Sequence, residues 1–171
     1  YRLWPALGSV VFTSGYVVLA ALGASPATAQ VWAGTALLGI GMGMGSPVFM
    51  LAMQNAVPHR DVGVVSAMAM FARNTGQVFG VAAAGTYFVA RLGHHLDRLV
   101  TPAQLGGIGV DDVRNDVEVI RDLPATVEPL VADAYRLAVT DVFTVGVWGG
   151  LLSLVAAMAI PQLPLRETIE D

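Results

Sequence analysis

The chain has no cysteine. A disulfide framework, a thiolate metal site and a cysteine nucleophile are therefore excluded. It also has no lysine, because its nine basic residues are all arginine. Those arginines form no basic patch. The net charge of −4 arises mainly in one acidic segment, so nothing in the charge points to nucleic acid. Charge itself is scarce, at 13 % of residues against 55 % hydrophobic, with a mean hydropathy of +0.64. Between Arg2 and His59 there is no charged or histidine side chain, and residues 142–165 are equally bare. A soluble core of this size cannot hide runs that long. A bilayer can, and roughly 20 apolar residues cross it.

These runs predict an all-α membrane protein with four transmembrane helices. The spans are expected at about residues 3–23, 31–57, 64–90 and 138–160. Pro5 falls in the first turn of the first span, where its missing N–H does no harm. The turn "PHRDVG" separates the second span from the third. Residues 91–137, with eight acids and five arginines, are expected as an outer polar loop without a core of its own. Within them "VEPLVADAYRLAVTDVF" has apolar residues spaced for a short amphipathic helix leading into the fourth span. Pro161 and Pro164 close that span, and 161–171 form a polar tail. Four spans put both ends on one side. Arg2, Arg60 and Arg166 mark that side as cytoplasmic, although the arginines of 91–137 weaken the count. Residue 1 is Tyr1, so the chain reads as a piece of something longer or a processed product. Its first apolar run is too long for a signal peptide.

Glycine is the conspicuous residue of the second span. "LLGIGMGMGSPVFMLAMQNAVPHRDVG", residues 37–63, sets Gly39, Gly41, Gly43 and Gly45 at alternate positions and then Pro47. In lipid, apolar side chains gain little by leaving lipid for a neighbouring helix, and small residues allow close van der Waals approach. At roughly 100° per residue, Gly34, Gly41, Gly45 and Ala52 share one face, and Gly39, Gly43, Ser46 and Gln54 lie near the opposite one. The helix is thus expected to be grooved on two sides. Pro47 removes a hydrogen bond to Gly43 and is expected to kink or soften it. Tight packing and bending during a conformational cycle are compatible readings.

Arg73 is the most informative single residue. It stands inside the third span, where an arginine costs roughly 2.5–3.5 kcal/mol on insertion scales. It is expected to face protein or water and to find partners. Ser66, Gly76, Gln77, Gly80, Ala84 and Tyr87 project on its side, while Phe71, Val78, Ala82 and Val89 lie opposite and suit lipid. Two readings are open: a structural clamp, or a residue lining a transport path. Asn74, Gln77, Gln54 and Asn55 are the other path candidates; Gln54, Asn55 and Asn74 also suit a membrane edge. Gly76 and Gly80 join the glycines of the second span as packing or hinge candidates. Asp141 opens the fourth span near the interface. His94 and His95 are adjacent, which suits surface residues better than a metal pair.

No catalytic residue, metal or cofactor is expected. The glycine run fails the dinucleotide pattern G-x-G-x-x-G, and "HRD" at 59–61 lacks the asparagine of a kinase catalytic loop, with Ser66 in its place. A membrane enzyme would need clustered His, Asp or Glu at membrane depth, and the spans offer only Arg73 and Asp141. A small scaffold assembling through glycine faces is a further class; it predicts a start codon just upstream of Tyr1.

Together, "LLGIGMGMGSPVFMLAMQNAVPHRDVG", "SAMAMFARNTGQVFGVAAAGTYF", "RLGHHL" and the closing "IPQLPLR" resemble the C-terminal end of a major facilitator superfamily transporter. The group most resembled is the fourteen-span drug:proton antiporters of the EmrB/QacA type. The resemblance implies the last four of fourteen spans, in the plasma membrane, with both ends cytoplasmic and 91–137 outside. It implies that the glycine-rich helix lines the central cavity. The implied partners are the lipid bilayer, the missing N-terminal spans, a small hydrophobic substrate and protons, with no nucleic acid. The family's coupling motifs lie in its N-terminal half, so no proton-carrying acid is assigned here. A facilitator for a nutrient or metabolite is the alternative within transport.

Overall fold

The computed structural model describes residues 3–23, 27–101 and 126–159. Expectations on Arg2, on the 24–26 part of the first loop, on 102–125 and on 160–171, with Pro161, Pro164 and Arg166, lie outside the described residues. The helices are α1 Leu3–Ala20, α2 Thr28–Asn55, α3 Val62–Leu99 and α4 Glu128–Ala159. A single 3-10 turn, His59–Asp61, leads into α3. There is no strand among the described residues.

Helices α1, α2 and α4 are long and apolar enough to cross a membrane. Helix α3 is not among them, although a span was expected over 64–90. Its polar stripe explains this, since Arg73, Asn74 and Gln77 dilute the apolar residues around them. Large apolar side chains cover the outside of the molecule: Trp4, Trp32, Phe71, Phe79 and Trp148 are all at least 60 % exposed. Water would penalise so much exposed apolar surface, and lipid does not. The chain is a multi-pass α-helical membrane protein.

Helix α1 sits between α2 and α4, and α4 also carries α3; α2 and α3 meet far less extensively. The α1–α2 seam is built from glycine. A Cβ on Gly8 would stand 2.9 Å from the carbonyl oxygen of Gly41, and one on Gly15 would stand 2.9 Å from that of Gly34. These pairs define an antiparallel register in which two backbones touch, the contact that small residues permit in lipid. Gly34, Gly41 and Gly45 are all buried on this face. Around Gly39 and Gly43 there is open space, so the second groove is unfilled here. Helix α2 runs without a break through Pro47.

The α1–α4 seam repeats the device. The Tyr16 ring lies over Gly146, Thr13 against Gly150, and the hydroxyls of Ser9 and Ser153 are 3.3 Å apart. Gly146 and Gly150 stand four apart, the close-packing spacing of membrane helices. At the end of α1, Arg136 of α4 donates from Nη1 to the carbonyl oxygen of Leu22 at 3.3 Å. It satisfies a carbonyl just past the helix end, which has no helical partner of its own.

The expected loop 91–137 is helical at both ends. Helix α3 continues to Leu99, and α4 is already helical from Glu128, so the expected short amphipathic helix is continuous with the fourth span. These extensions also share a core, contrary to expectation: Leu92, Leu96 and Val100 pack on Val127, Val131, Ala134 and Ala138. The reason is periodicity. Leu92 and Leu96 are one turn apart on one side, while the exposed Asp97 and Arg98 face away. A count of charges reads the segment as loop, whereas at its described α3 end Asp97 and Arg98 are the exposed side of a helix whose other side is apolar.

Candidate functional site

Helices α2 and α3 diverge from their shared turn and leave a cavity of about 430 Å³. A drug-sized ligand pocket is roughly 300–1,000 Å³. The lining from α2 is Ser46, Phe49, Met50 and Met53, and from α3 it is Ala69, Met70 and Arg73. The α2 residues follow from helical spacing: 46, 49, 50 and 53 fall on one stripe beside the buried Gly41 and Gly45 that face α1, with Ser46 and Phe49 at the edge next to α1 and Met50 and Met53 farther round. Pressing the glycine face on α1 thus points the methionine face at α3.

Of the proposed path residues, the structure brings Arg73 into this cavity. Arg73 is exposed within the chain, and among the described residues it makes no hydrogen bond or ion pair. The expected partners of a membrane arginine are therefore not supplied by these helices. Asn74 and Gln77 are exposed on α3 and do not line the cavity. Gln54 lies at its turn end, where its Nε2 donates to Ser66 Oγ at 3.1 Å and ties α2 to α3. Asn55 is half-buried beside it and has a partner of its own. A Cβ added at Gly76 or Gly80 would meet nothing within 4 Å outside the helix's own backbone. Replacing Gln54 with alanine removes that tie; the expected cost is about 0.6 kcal/mol, the mean for such bonds between membrane helices. Thermal unfolding in detergent, compared with Ser66→Ala and the double variant, measures it.

A second polar group lies across α3 and α4. Asp141 Oδ2 accepts from Arg91 Nε at 2.6 Å and is 2.8 Å from His95 Nε2. The bond to Asp141 raises the pKa of Arg91, beyond the expected span, above its ordinary value. His95 is buried, which corrects its expectation as a surface residue; His94 is exposed as expected. Asp141 belongs to a helix–helix clamp. Sequence reasoning missed this triad because its members come from segments about fifty positions apart. The one available signal was the four-residue spacing of Arg91 and His95, which puts both on the same side of a helix. Among the described residues no group of three or more His, Cys, Asp or Glu is arranged to hold a metal ion.

No family model and no solved structure matches the chain. Curated proteins do match. An uncharacterised MFS-type transporter of Mycobacterium tuberculosis is 25 % identical over 173 aligned positions, taking in 100 % of this chain and 24 % of that protein. The relatives are transporters. The MFS-type transporter ptmT of Penicillium ochrochloron is 31 % identical over 159 positions, with 90 % of this chain and 26 % of its own length covered. The multidrug transporter protein MdtP of Bacillus subtilis is 32 % identical over 94 positions, covering 54 % of this chain and 17 % of its own. The chain spans about a quarter or less of the length of these relatives.

Proposed function

We propose that the chain is the C-terminal four-span part of a major facilitator transporter that exports drugs or other hydrophobic compounds in exchange for protons. The fourteen-span antiporter type is the form we favour. The carrying observation is the α2–α3 cavity: an apolar, methionine-rich space with one cation in it, in a chain similar along its length to transporters. Methionine adapts its shape to different apolar partners, which suits a site accepting varied compounds.

In this reading α3 is the remaining span and runs back from the turn at residues 56–61, antiparallel to α2. Both chain ends and that turn are cytoplasmic, the α3–α4 clamp is on the outer side, and the membrane is the plasma membrane. Helix α2 lines the central path with its methionine face, and the open Gly39 and Gly43 side receives neighbouring spans of the complete transporter. The cavity is the share of a midplane site that these two helices contribute, and the other spans of the complete transporter close it.

The test is efflux of a hydrophobic dye from cells expressing the full-length protein, with the proton gradient intact and then collapsed. Gradient-dependent efflux is expected, and for an acidic dye it falls more than fivefold in Arg73→Ala while Arg98→Ala stays close to the parent. No gradient-dependent efflux of any compound in a broad panel overturns the reading.

A further inference from the structure

We propose that the α2–α3 cavity takes an apolar solute bearing one negative charge, and that Arg73 is its counter-ion. The inference rests on the reading of this cavity as the substrate path and narrows it to a substrate class. The lining is thioether, aromatic and methyl, from Met50, Met53, Met70, Phe49 and Ala69, apart from the guanidinium of Arg73 and the hydroxyl of Ser46. An arginine stays protonated under all ordinary conditions, so the cavity carries a fixed positive charge. In a space of low polarity, a cationic solute is repelled and an anionic one attracted more strongly than in water.

The described acids do not neutralise Arg73. Asp61 pairs with Arg60, Asp133 with Arg136, and Asp141 with Arg91 and His95. The other two, Asp97 and Glu128, sit at the far end of α3 and the start of α4. A carboxylate or sulfonate entering the cavity meets a planar fork of N–H donors that no described group occupies, and such pairing is often bidentate. Ser46 Oγ can give a further bond from the opposite wall. Depth argues for a solute rather than a lipid headgroup. From Val62 to Arg73 the helix rises roughly 16 Å, at ~1.5 Å per residue. Half of the hydrocarbon core is about 15 Å thick, so with α3 as a span that enters at Val62, Arg73 lies below the depth at which headgroups sit.

The probes are dansyl-aminoundecanoic acid, its primary amide and the corresponding amine, a set alike in bulk and different in charge. Their binding to the full-length protein is measured in phosphatidylcholine nanodiscs, with empty discs subtracted. The acid is expected to bind about tenfold more tightly than the amide, a difference of about 1.4 kcal/mol. The amine is expected to bind least. Arg73→Gln brings the acid to the level of the amide and leaves the amide unchanged; Arg73→Lys keeps part of the preference. An acid that binds no better than its amide in the parent protein overturns the proposal, and that comparison needs no variant. So does a preference that survives Arg73→Gln. Loss of acid binding when phosphatidylglycerol replaces part of the lipid assigns Arg73 to a headgroup and also overturns it. Transport in proteoliposomes separates this inference from the exporter reading. Gradient-driven movement of the amide with no acid preference leaves the exporter standing and removes the anion. Arg73-dependent binding of the acid with no movement of any probe does the reverse.

Discussion

Gly41→Ala loosens α1 from α2 and lowers the thermal stability of the protein in detergent by more than any other single-methyl addition on α2. The added carbon would stand 2.7 Å from the carbonyl oxygen of Gly8 and the same distance from Cα of Phe12. It also meets the backbone N of Phe12. All three are backbone atoms, so no side chain can swing aside. The helices must separate along the seam, and Gly8 and Gly15 lose their contacts with α2 as well. Overpacking of this kind costs typically about 1–3 kcal/mol, and a rigid two-backbone contact belongs at the upper end. Gly43→Ala is the control. It adds the same methyl two residues away, where nothing in these four helices lies within 4 Å, and in the four-helix chain by itself it is expected to change stability by less than about 0.5 kcal/mol. Thermal unfolding followed by size-exclusion chromatography compares the two. Equal melting temperatures for both variants would show that α1 and α2 do not pack through these glycines.

Asp141→Ala is the second large effect. It removes the single acceptor on which two donors of α3 converge and leaves Arg91 and His95 without it. His95 is buried, so its ring loses a bond that water does not readily replace. Arg91 is more accessible and recovers part of its solvation, which limits the penalty. Bonds to a charged group are worth about 1.5–3 kcal/mol, and we expect a loss of about 2 kcal/mol. The damage should localise. Amide exchange is expected to quicken at Leu92, Leu96, Val131 and Ala134, which pack beside the clamp, and to stay unchanged along the α1–α2 seam. Asp141→Asn keeps an acceptor but not the charge, and falls between the parent and the alanine variant. Uniform faster exchange in all helices would mean that Asp141 does not act as a local clamp.

Both effects bear on how much of the molecule its residues announced. The glycine face of α2 was legible because helical spacing is a local property: Gly34, Gly41 and Gly45 fall on one side of any helix that contains them. The matching small residues of α1 and α4 carry the same kind of signal, in Gly8 and Gly15 and in Gly146 and Gly150. They were obscured by the louder repeat between Gly39 and Gly45. The polar stripe around Arg73 could be read for the same local reason. What filled the space before it could not, because that depends on how far α2 and α3 diverge.

The helical ends of 91–137 show the opposite case. Charge density suggested a solvated loop, while the apolar residues that decide its structure come from both sides of it. Leu92 and Leu96 have no reason to be buried until Val127, Val131 and Ala134 are laid against them. Likewise, His95 on its own looks like a surface histidine. It becomes a buried donor only when α4 brings Asp141 alongside.

Composition and periodicity by themselves determined the solvent, the all-helical class, the small-residue face of α2 and the polar face of α3. Each of these is set by residues within a few turns of one another. Only the tertiary structure decided which glycine face is filled, that Asp141 binds Arg91 and His95, and that Arg73 lines a cavity with methionines opposite it. Those facts depend on the rotation and register of one helix against another, where a shift of one residue turns a side chain by about 100°.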